Sequence, residues 1–368
     1  MTGNIYGENF VLVSFGESHG SCVGAVVDGC PAGLRISEED VQKELDLRRP
    51  GTSIVTTQRR EEDRVEVLSG VFGGFTTGAP VAMLIRNADK DPKAYLEIQD
   101  KPRPGHADYT ARVKYGGFND WRGGGRFSGR ITATFVMGGA IAKKLLMDAL
   151  GVEILAFTRE IGGTRVGDPT IEEIRRNRYS NEVRCPDPEV AERMKKEIIG
   201  IRGAGDSLGG VVECVALNLP VGVGEPVFSS LDSDLARMML SIPAAKGVDF
   251  GSGFAAAGMK GSENNDPFFY EGGKVVTHTN NSGGILGGLT NGMPLRFRVV
   301  FKPTSSIASL QRTVSMSKKV DTEFRVPGRH DPTVVPRAVP VVENAAALVL
   351  ADLAIRGGFI PPVLEGGR

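Results

Sequence analysis

Apolar residues along this chain come in short dense runs and in longer stretches with helical spacing. Runs rich in Val, Leu, Ile and Phe, bounded by Gly, Pro or Asn, predict strands over residues 9–15, 22–27, 65–68, 81–86, 152–157, 211–217 and 295–301. Other stretches have the period of a helix. Residues 37–45 open with Ser37 and Asp40 in a capping-box arrangement and put Val41 and Leu45 on one face; residues 229–240 are their counterpart. Residues 132–150 and 341–356 are long apolar helices stopped by Gly151 and Gly357. In the first of these, Gly138, Gly139, Ala140 and Ala142 permit close packing against a neighbour. A further helix runs from Asp187 to Ile199, with Pro188 at its first position, Val190, Met194 and Ile198 on one face, and Gly200 after it. Strands and helices interleave and hairpin-like pairs are frequent. The pattern predicts an α+β fold in which each half is a sheet backed by helices.

The pattern also repeats. Gly70, Gly73, Gly74, Thr76, Gly78 and Pro80 recur as Gly284, Gly287, Gly288, Thr290, Gly292 and Pro294. Gly16, Ser18, Gly20, Pro31 and Gly33 recur as Gly205, Ser207, Gly209, Pro220 and Gly222, in the same order along the chain. The expectation is one internally duplicated domain, with repeats over approximately residues 1–185 and 200–368. Both copies of the second match fit G-x-S-x-G, the spacing of a hydrolase nucleophile elbow. The elbow needs a helix directly after it, and SCVGAVVDGCPAG reads as a strand and a turn. Ser18 is therefore expected to be a turn residue. His19 has Leu208 opposite it in the second copy, so it is the functional candidate.

Composition narrows the function. The chain has 368 residues, 40% of them hydrophobic, and 44 basic residues against 44 acidic ones. A neutral chain with one Trp is a poor nucleic-acid binder. Cys22, Cys30, Cys185 and Cys214 form no C-x-x-C pair, which suits reduced thiols in a cytoplasmic protein. No apolar run has transmembrane length, and no secretory leader pattern opens the sequence.

Charge is unevenly spread. Residues 101–130 carry Lys101, Arg103, Arg112, Lys114, Arg122, Arg126 and Arg130 against Asp108 and Asp120, and residues 296–337 are similarly basic. Many of these arginines sit beside Gly and Pro in loops, where a guanidinium can fork onto phosphate or carboxylate. Of four histidines, His19, His106 and His330 lie in such loops, whereas His278 does not. Three glycines before Arg126 and Ser128 are candidates to cradle a phosphate, and KPTSS (302–306) adds further anion donors. Arg48 and Arg49 stand at a helix end broken by Pro50. No metal spacing is present.

Together GESHGSCVGAVVDGCP, RRPGTS, RPGHADY, GGGRFSGR, GGILGG, KPTSS and GRHDP resemble the chorismate synthase family, in that family's order, from about residue 3 to residue 357. The resemblance implies helical layers sandwiched between antiparallel-rich sheets (β/α/α/β), usually assembled as a homotetramer. It implies a shikimate-pathway lyase of aromatic amino acid biosynthesis, which converts 5-enolpyruvylshikimate 3-phosphate to chorismate and phosphate. Reduced FMN is implied as cofactor although no net redox change occurs, with NADPH or an external flavin reductase as the source of electrons. By resemblance, His19 protonates the reduced flavin or holds its proton near N1, His106 faces the departing phosphate and Asp331 relays a proton at flavin N5. Arg48, Arg49, Arg130 and Arg337 would bind substrate. Arg126, Phe127, Ser128, Pro243, Ala244, Gly287, Lys302, Pro303, Thr304, Ser305, Ser306 and Arg329 would line the FMN site. Three positions depart from the family. Phe127 stands where many members have serine, Pro243 where many have asparagine, and Ile54 where some have arginine near the pyridine-nucleotide contact.

Two other classes were weighed. A serine hydrolase would need a helix behind Ser18 or Ser207 and an Asp/His pair in hydrolase order. A polyanion-binding module would need a net basic chain and stacking aromatics, and aromatics are 7% of this one.

Overall fold

Two five-stranded antiparallel sheets enclose a layer of helices. The computed structural model describes residues 3–49, 63–87, 96–327 and 331–365. The first half supplies β1 (Ile5–Tyr6), β2 (Val11–Gly16), β3 (Cys22–Asp28), α1 (Glu38–Arg48), β4 (Val65–Val67), the hairpin β5 (Val71–Phe72) and β6 (Phe75–Thr76), β7 (Val81–Arg86), α2 (Asp108–Lys114) and α3 (Thr132–Leu150). Next come β8 (Glu153–Ile161), β9 (Thr164–Arg165), α4 (Ile171–Asn177), α5 (Pro188–Gly203), β10 (Gly210–Leu217), α6 (Leu231–Leu240), β11 (Ala245–Phe250) and α7 (Gly261–Asn264). The chain then forms hairpin β12 (Phe268–Glu271) and β13 (Lys274–Thr277), and hairpin β14 (Ile285–Leu286) and β15 (Leu289–Thr290). It closes with β16 (Leu295–Phe301), hairpin β17 (Gln311–Ser315) and β18 (Val320–Phe324), and α8 (Val335–Arg356).

The first sheet has the order β1-β2-β3-β7-β4 and the second β9-β8-β10-β16-β11. Leaving aside the short edge strands β1 and β9, each half lays its four main strands in the order first, second, fourth, third. Val81, Met83 and Ile85 of β7 and Leu295, Phe297, Val299 and Phe301 of β16 are buried at every second position, so each sheet turns one apolar face inward. Helix α3 packs on β2 and β3, α8 packs on β8 and β10, and the two helices pack on each other, with α1 beside α3 and α6 beside α8. The layers are therefore sheet, helix, helix, sheet, an α+β arrangement. They divide at Gly151, the left-handed C-cap of α3. That division falls upstream of the 185–200 boundary expected from the repeats, because β8 already belongs to the second sheet.

Close approach of α3 to α8 needs a glycine. A Cβ at Gly139 would overlap Asn344, and one at Gly138 would press on Leu12 and Leu348. Helix α8 is apolar and long enough to cross a membrane, yet 94% of its apolar window is buried in the protein. It starts at Val335, earlier than residue 341, and runs through Pro340. Pro340 has no N–H to donate within the helix; burial between the two sheets overrides that local cost. Helix α5 likewise continues past Gly200 to Gly203. Strand β11 and hairpins β12–β13 and β17–β18 have no clean apolar alternation and were not predicted. The capping box of Ser37 and Asp40 forms as expected. All four cysteines are unpaired, and burial pushes the Cys30 thiol up to about 12.

The N-terminal turn is held by one carboxylate. Asp352 of α8 accepts from the backbone N–H groups of Glu8 (3.0 Å), Asn9 (2.6 Å) and Phe10 (2.8 Å). Replacing it leaves three donors without that partner. Asp352→Ala should therefore lower unfolding free energy by about 2–4 kcal/mol in a urea titration, and an unchanged midpoint would show the turn to be held by other contacts.

Candidate active site

The N-terminal ends of α3 and α8 meet at one cleft of about 620 Å³. Its walls come from four places: the α3 entry loop (126–132), the α8 entry (Asp331 to Val341), the α6–β11 turn (240–246) and the segment after β16 (301–306). Arg48, at the last turn of α1, and the 105–107 loop complete it. Among the described residues six basic side chains line it, Arg48, Arg126, Arg130, Lys246, Lys302 and Arg337, against one carboxylate, Asp331. Two helix N-termini add partial positive charge. Such a lining selects a ligand with several negative charges.

Arg48 and Arg130 are fixed by a shared carboxylate. Asp63, fully buried, takes Arg48 Nη1 at 2.9 Å and Arg130 Nη1 at 2.8 Å. Burial alone would raise the Asp63 carboxyl, but the two guanidiniums more than reverse this and hold it below its usual range. Arg48 also reaches Thr132 Oγ1 (3.3 Å) and the Gly129 carbonyl (3.0 Å). Arg130 Nε donates to Asn87 Oδ1 at 2.7 Å, and the Asn87 amide in turn donates to the carbonyls of Glu17 and Gly20 at 2.9 Å each. Asn87 thereby ties the GESHG turn to a cleft arginine. Arg337 donates to Asp331 Oδ2 at 2.7 Å.

The GESHG turn joins β2 to β3, with no helix behind it. Ser18 lines the cleft, and its Oγ lies 3.1 Å from Nδ1 of the buried His19. His19 itself sits behind the lining. Ser18 thus does more than close a turn: it lines the cleft and its hydroxyl bonds the His19 ring. Of the three glycines expected to cradle a phosphate, Gly123 and Gly124 pack on histidines and Gly125 on the Asp120 backbone. A Cβ at Gly123 would overlap the His19 ring, and one at Gly124 would lie 2.8 Å from His106 Cε1. All three have positive φ, which glycine adopts without strain.

His106 lines the cleft beside Asp108 and Arg103. Its Nδ1 is 2.7 Å from Asp108 Oδ1, and Arg103 forks onto the same carboxylate through Nε and Nη2, both at 2.8 Å. Burial works against the Asp108 anion, but these partners hold its carboxyl far below the usual range.

Across the cleft, Ala245 N–H closes a turn onto the Ile242 carbonyl at 3.1 Å. Pro243 takes its first central position and Ala244 the second with φ +72°, as in a type II turn. Proline suits that first position, which explains how Pro243 is accommodated in place of asparagine. Burial and then Lys246 push the Lys302 ammonium down. No ion pair occupies Lys302 or Lys246 among the described residues, so this corner lacks an anion. Thr304 Oγ1 donates to the Asp331 carbonyl (2.8 Å), and Ser207 of the second G-x-S-x-G donates to the Thr304 carbonyl (2.8 Å). Arg126 lines the cleft while its guanidinium holds the carbonyls of Ser14 and Gly16 at 3.1 Å each. Phe127, Ser128, Ser305 and Ser306 also reach the cleft.

Four predicted residues are not in the lining: His19, which is in contact with Ser18, and Arg49, Gly287 and Pro303. Arg49 pairs with Asp46 at 3.5 Å on α1, Gly287 forms the tip of hairpin β14–β15, and Pro303 packs beside Gly209. Arg329, His330 and Ile54 lie outside the described residues. Sequence reasoning missed Asp63, Asn87, Arg103, Asp108, Thr132 and Lys246 as site residues. A signal existed for Asp108, two residues after His106; Asp63 was one acid in a charged run.

Comparison with known proteins agrees with this geometry. A family model described as chorismate synthase matches residues 10–355. A chorismate synthase from Korarchaeum cryptofilum is 56% identical over 97% of this chain and 98% of its own length. One from Methanocella arvoryzae is 54% identical over 100% and 98%, and one from Dehalococcoides mccartyi is 52% identical over 98% and 99%. A crystal structure of chorismate synthase superposes with a TM-score of 0.77 at 33% identity, covering 96% of this chain and 93% of the other. A match of this extent in sequence and in fold has one meaning: the chain belongs to the chorismate synthase family.

Proposed function

We propose that the cleft binds 5-enolpyruvylshikimate 3-phosphate beside reduced FMN, with His19, His106 and Asp331 as the proton-handling groups. Family membership makes the chain a lyase of the last shikimate-pathway step, the elimination of phosphate to give chorismate. The observation that carries the finer reading is the lining of six cations against one carboxylate. The substrate brings a phosphate and two carboxylates, and FMN brings another phosphate. Arg48, Arg130 and Arg337, already braced by Asp63 and Asp331, are read as the substrate anchors. Lys302 and Lys246, which lack ion-pair partners among the described residues, are read as the flavin phosphate corner, with Thr304, Ser305 and Ser306 as added donors. The cleft's volume falls within the ~300–1,000 Å³ of small-molecule sites.

Reduced flavin, when bound, supplies electron density that eases departure of the phosphate. The chain's residues hold the protons. His106 faces the departing phosphate from the 105–107 loop. His19 reaches the cleft through the Ser18 hydroxyl. Asp331, paired with Arg337, would relay a proton at flavin N5. We further infer internal duplication, supported by the shared strand order of the two sheets, and a homo-oligomer, in keeping with the family's tetramer. Exposed Phe72, Phe118, Phe228 and Phe254 support association. Static light scattering at micromolar protein should report a mass above the monomer's. An external flavin reductase is the proposed partner, NADPH being the direct reductant if the chain reduces its own FMN.

His19→Ala should lower kcat by ~10²–10⁴-fold, and Ser18→Ala by about tenfold, since a water can replace the hydroxyl bridge. The reverse order in a chorismate assay would restore Ser18 as the reacting group. Asp331→Asn keeps the shape and the Arg337 contact but cannot take up a proton. It should bind FMN and substrate within about tenfold, ~1.4 kcal/mol, while kcat collapses; near-normal turnover would remove Asp331 from the reaction. Anaerobic assays should require FMN and a reductant, with far less reductant oxidised than chorismate formed. One-for-one oxidation would make the reaction a net redox step and refute the reading.

A further inference from the structure

His106 does not stand alone, and the groups that hold it carry opposite charges. Its Nδ1 meets Asp108 Oδ1 at 2.7 Å, and Arg103 Nη2 lies 3.0 Å from Nδ1 and 3.2 Å from Nε2. Arg103 is bonded through Nε and its backbone N–H to Asp108 Oδ2, at 2.8 and 3.0 Å, and through Nη1 to Ser306 Oγ at 3.0 Å. Both side chains are 7% exposed. Gly124 closes one side of the ring, where a Cβ would lie 2.8 Å from Cε1. The ring's place is thus set by three elements: its own loop, α2 through Asp108, and the α3 entry loop.

We propose that Asp108 and Arg103 are a matched pair of positioning residues that balances the charge of His106 and ties it to the 302–306 segment. The carboxylate favours the imidazolium, and the guanidinium disfavours it. Because the two are themselves ion-paired at 2.8 Å, the ring is held between opposite charges. The Ser306 contact joins this unit to the neighbouring 302–306 segment, so the ring and that segment keep a fixed distance. Other charged groups are near. Lys302 Nζ lies 3.7 Å from where a Gly105 Cβ would stand. Arg112 and Asp120 line a small cavity of about 80 Å³ behind the ring. The proposal rests on the reading of His106 as the phosphate-side proton group.

The test uses the full-length chain labelled with ¹⁵N-histidine, titrated without flavin or substrate, beside kcat–pH profiles. In Asp108→Asn the His106 ring signals should titrate at lower pH than in the parent, and in Arg103→Gln at higher pH, each by about one unit. Asp108→Asn should lower kcat at least about tenfold with KM within about twofold, and Asp108→Glu should restore part of it. Should Arg103→Gln fail to fold, Arg103→Lys keeps the charge and loses the fork, so it should move the midpoint in the same direction by less. Displacements of opposite sign support the matched pair. Displacements of the same sign, or none, overturn it, as a purely structural role would not divide by sign. His106→Ala with normal turnover would instead refute the catalytic reading of His106 while the ring titrations of the other variants still report on the pair.

Discussion

The contact between α3 and α8 is the constraint on which the rest depends. Both helices carry small residues where they meet, and Gly139 allows the Asn344 backbone to lie where a Cβ would otherwise be. That approach places the two helix N-termini on one cleft, each preceded by a loop that supplies chemistry. The α3 entry contributes Arg126, Ser128 and Arg130, and the α8 entry contributes Asp331 and Arg337. The sheets hold the helices in register from outside, so the site is a consequence of core packing. A side chain at Gly139 would move one entry loop against the other, and with it the spacing of Arg130 and Arg337.

A second theme is how a cationic cleft is kept folded. Unpaired buried arginines would be costly, and the molecule compensates with carboxylates paired to the guanidiniums. Asp63 serves Arg48 and Arg130, Asp331 serves Arg337, and Asp108 serves Arg103. The same logic runs deeper in the helical layer. Glu343, buried on α8, is paired with Arg178 at 3.2 Å and Lys143 at 3.6 Å and accepts from the Tyr179 hydroxyl. Lys143 also meets Glu44 of α1 at 2.8 Å. Burial disfavours the Lys143 ammonium, yet Glu343 and Glu44 outweigh it and raise the group above its usual range. These pairs join α1, α3 and α8, so the helix that presents Arg48 is locked to both central helices. Arginines braced from behind present their remaining donors to a ligand at little cost in side-chain entropy.

The chain alone determined much of this. Period-2 and period-3.6 patterning located the main strands and helices, because one face of each is buried and burial selects apolar residues at that spacing. Interleaved strands and helices pointed to an α+β fold, which the two sheets and the helices between them match. Motif order along the chain pointed to the family, and most motif residues, including Ser128, His106, Lys302 and Asp331, do line the cleft.

Tertiary structure decided what depends on contacts between distant segments. Asp63 and Asn87 bond Arg130 from 67 and 43 positions away, and no local spacing marks one acid or amide among many. Ser18 reads as a turn residue in the sequence, and the fold sets it in the cleft lining with its hydroxyl on the His19 ring. The triple glycine looked like a phosphate cradle, and three-dimensional packing instead uses it to make room for two histidines that are 87 positions apart in the sequence. Helix α8 begins before a proline that local rules would have used as its boundary, since burial on every side outweighs one lost hydrogen bond. Local sequence sets which elements form; the free energy of packing them together selects which of their polar groups meet.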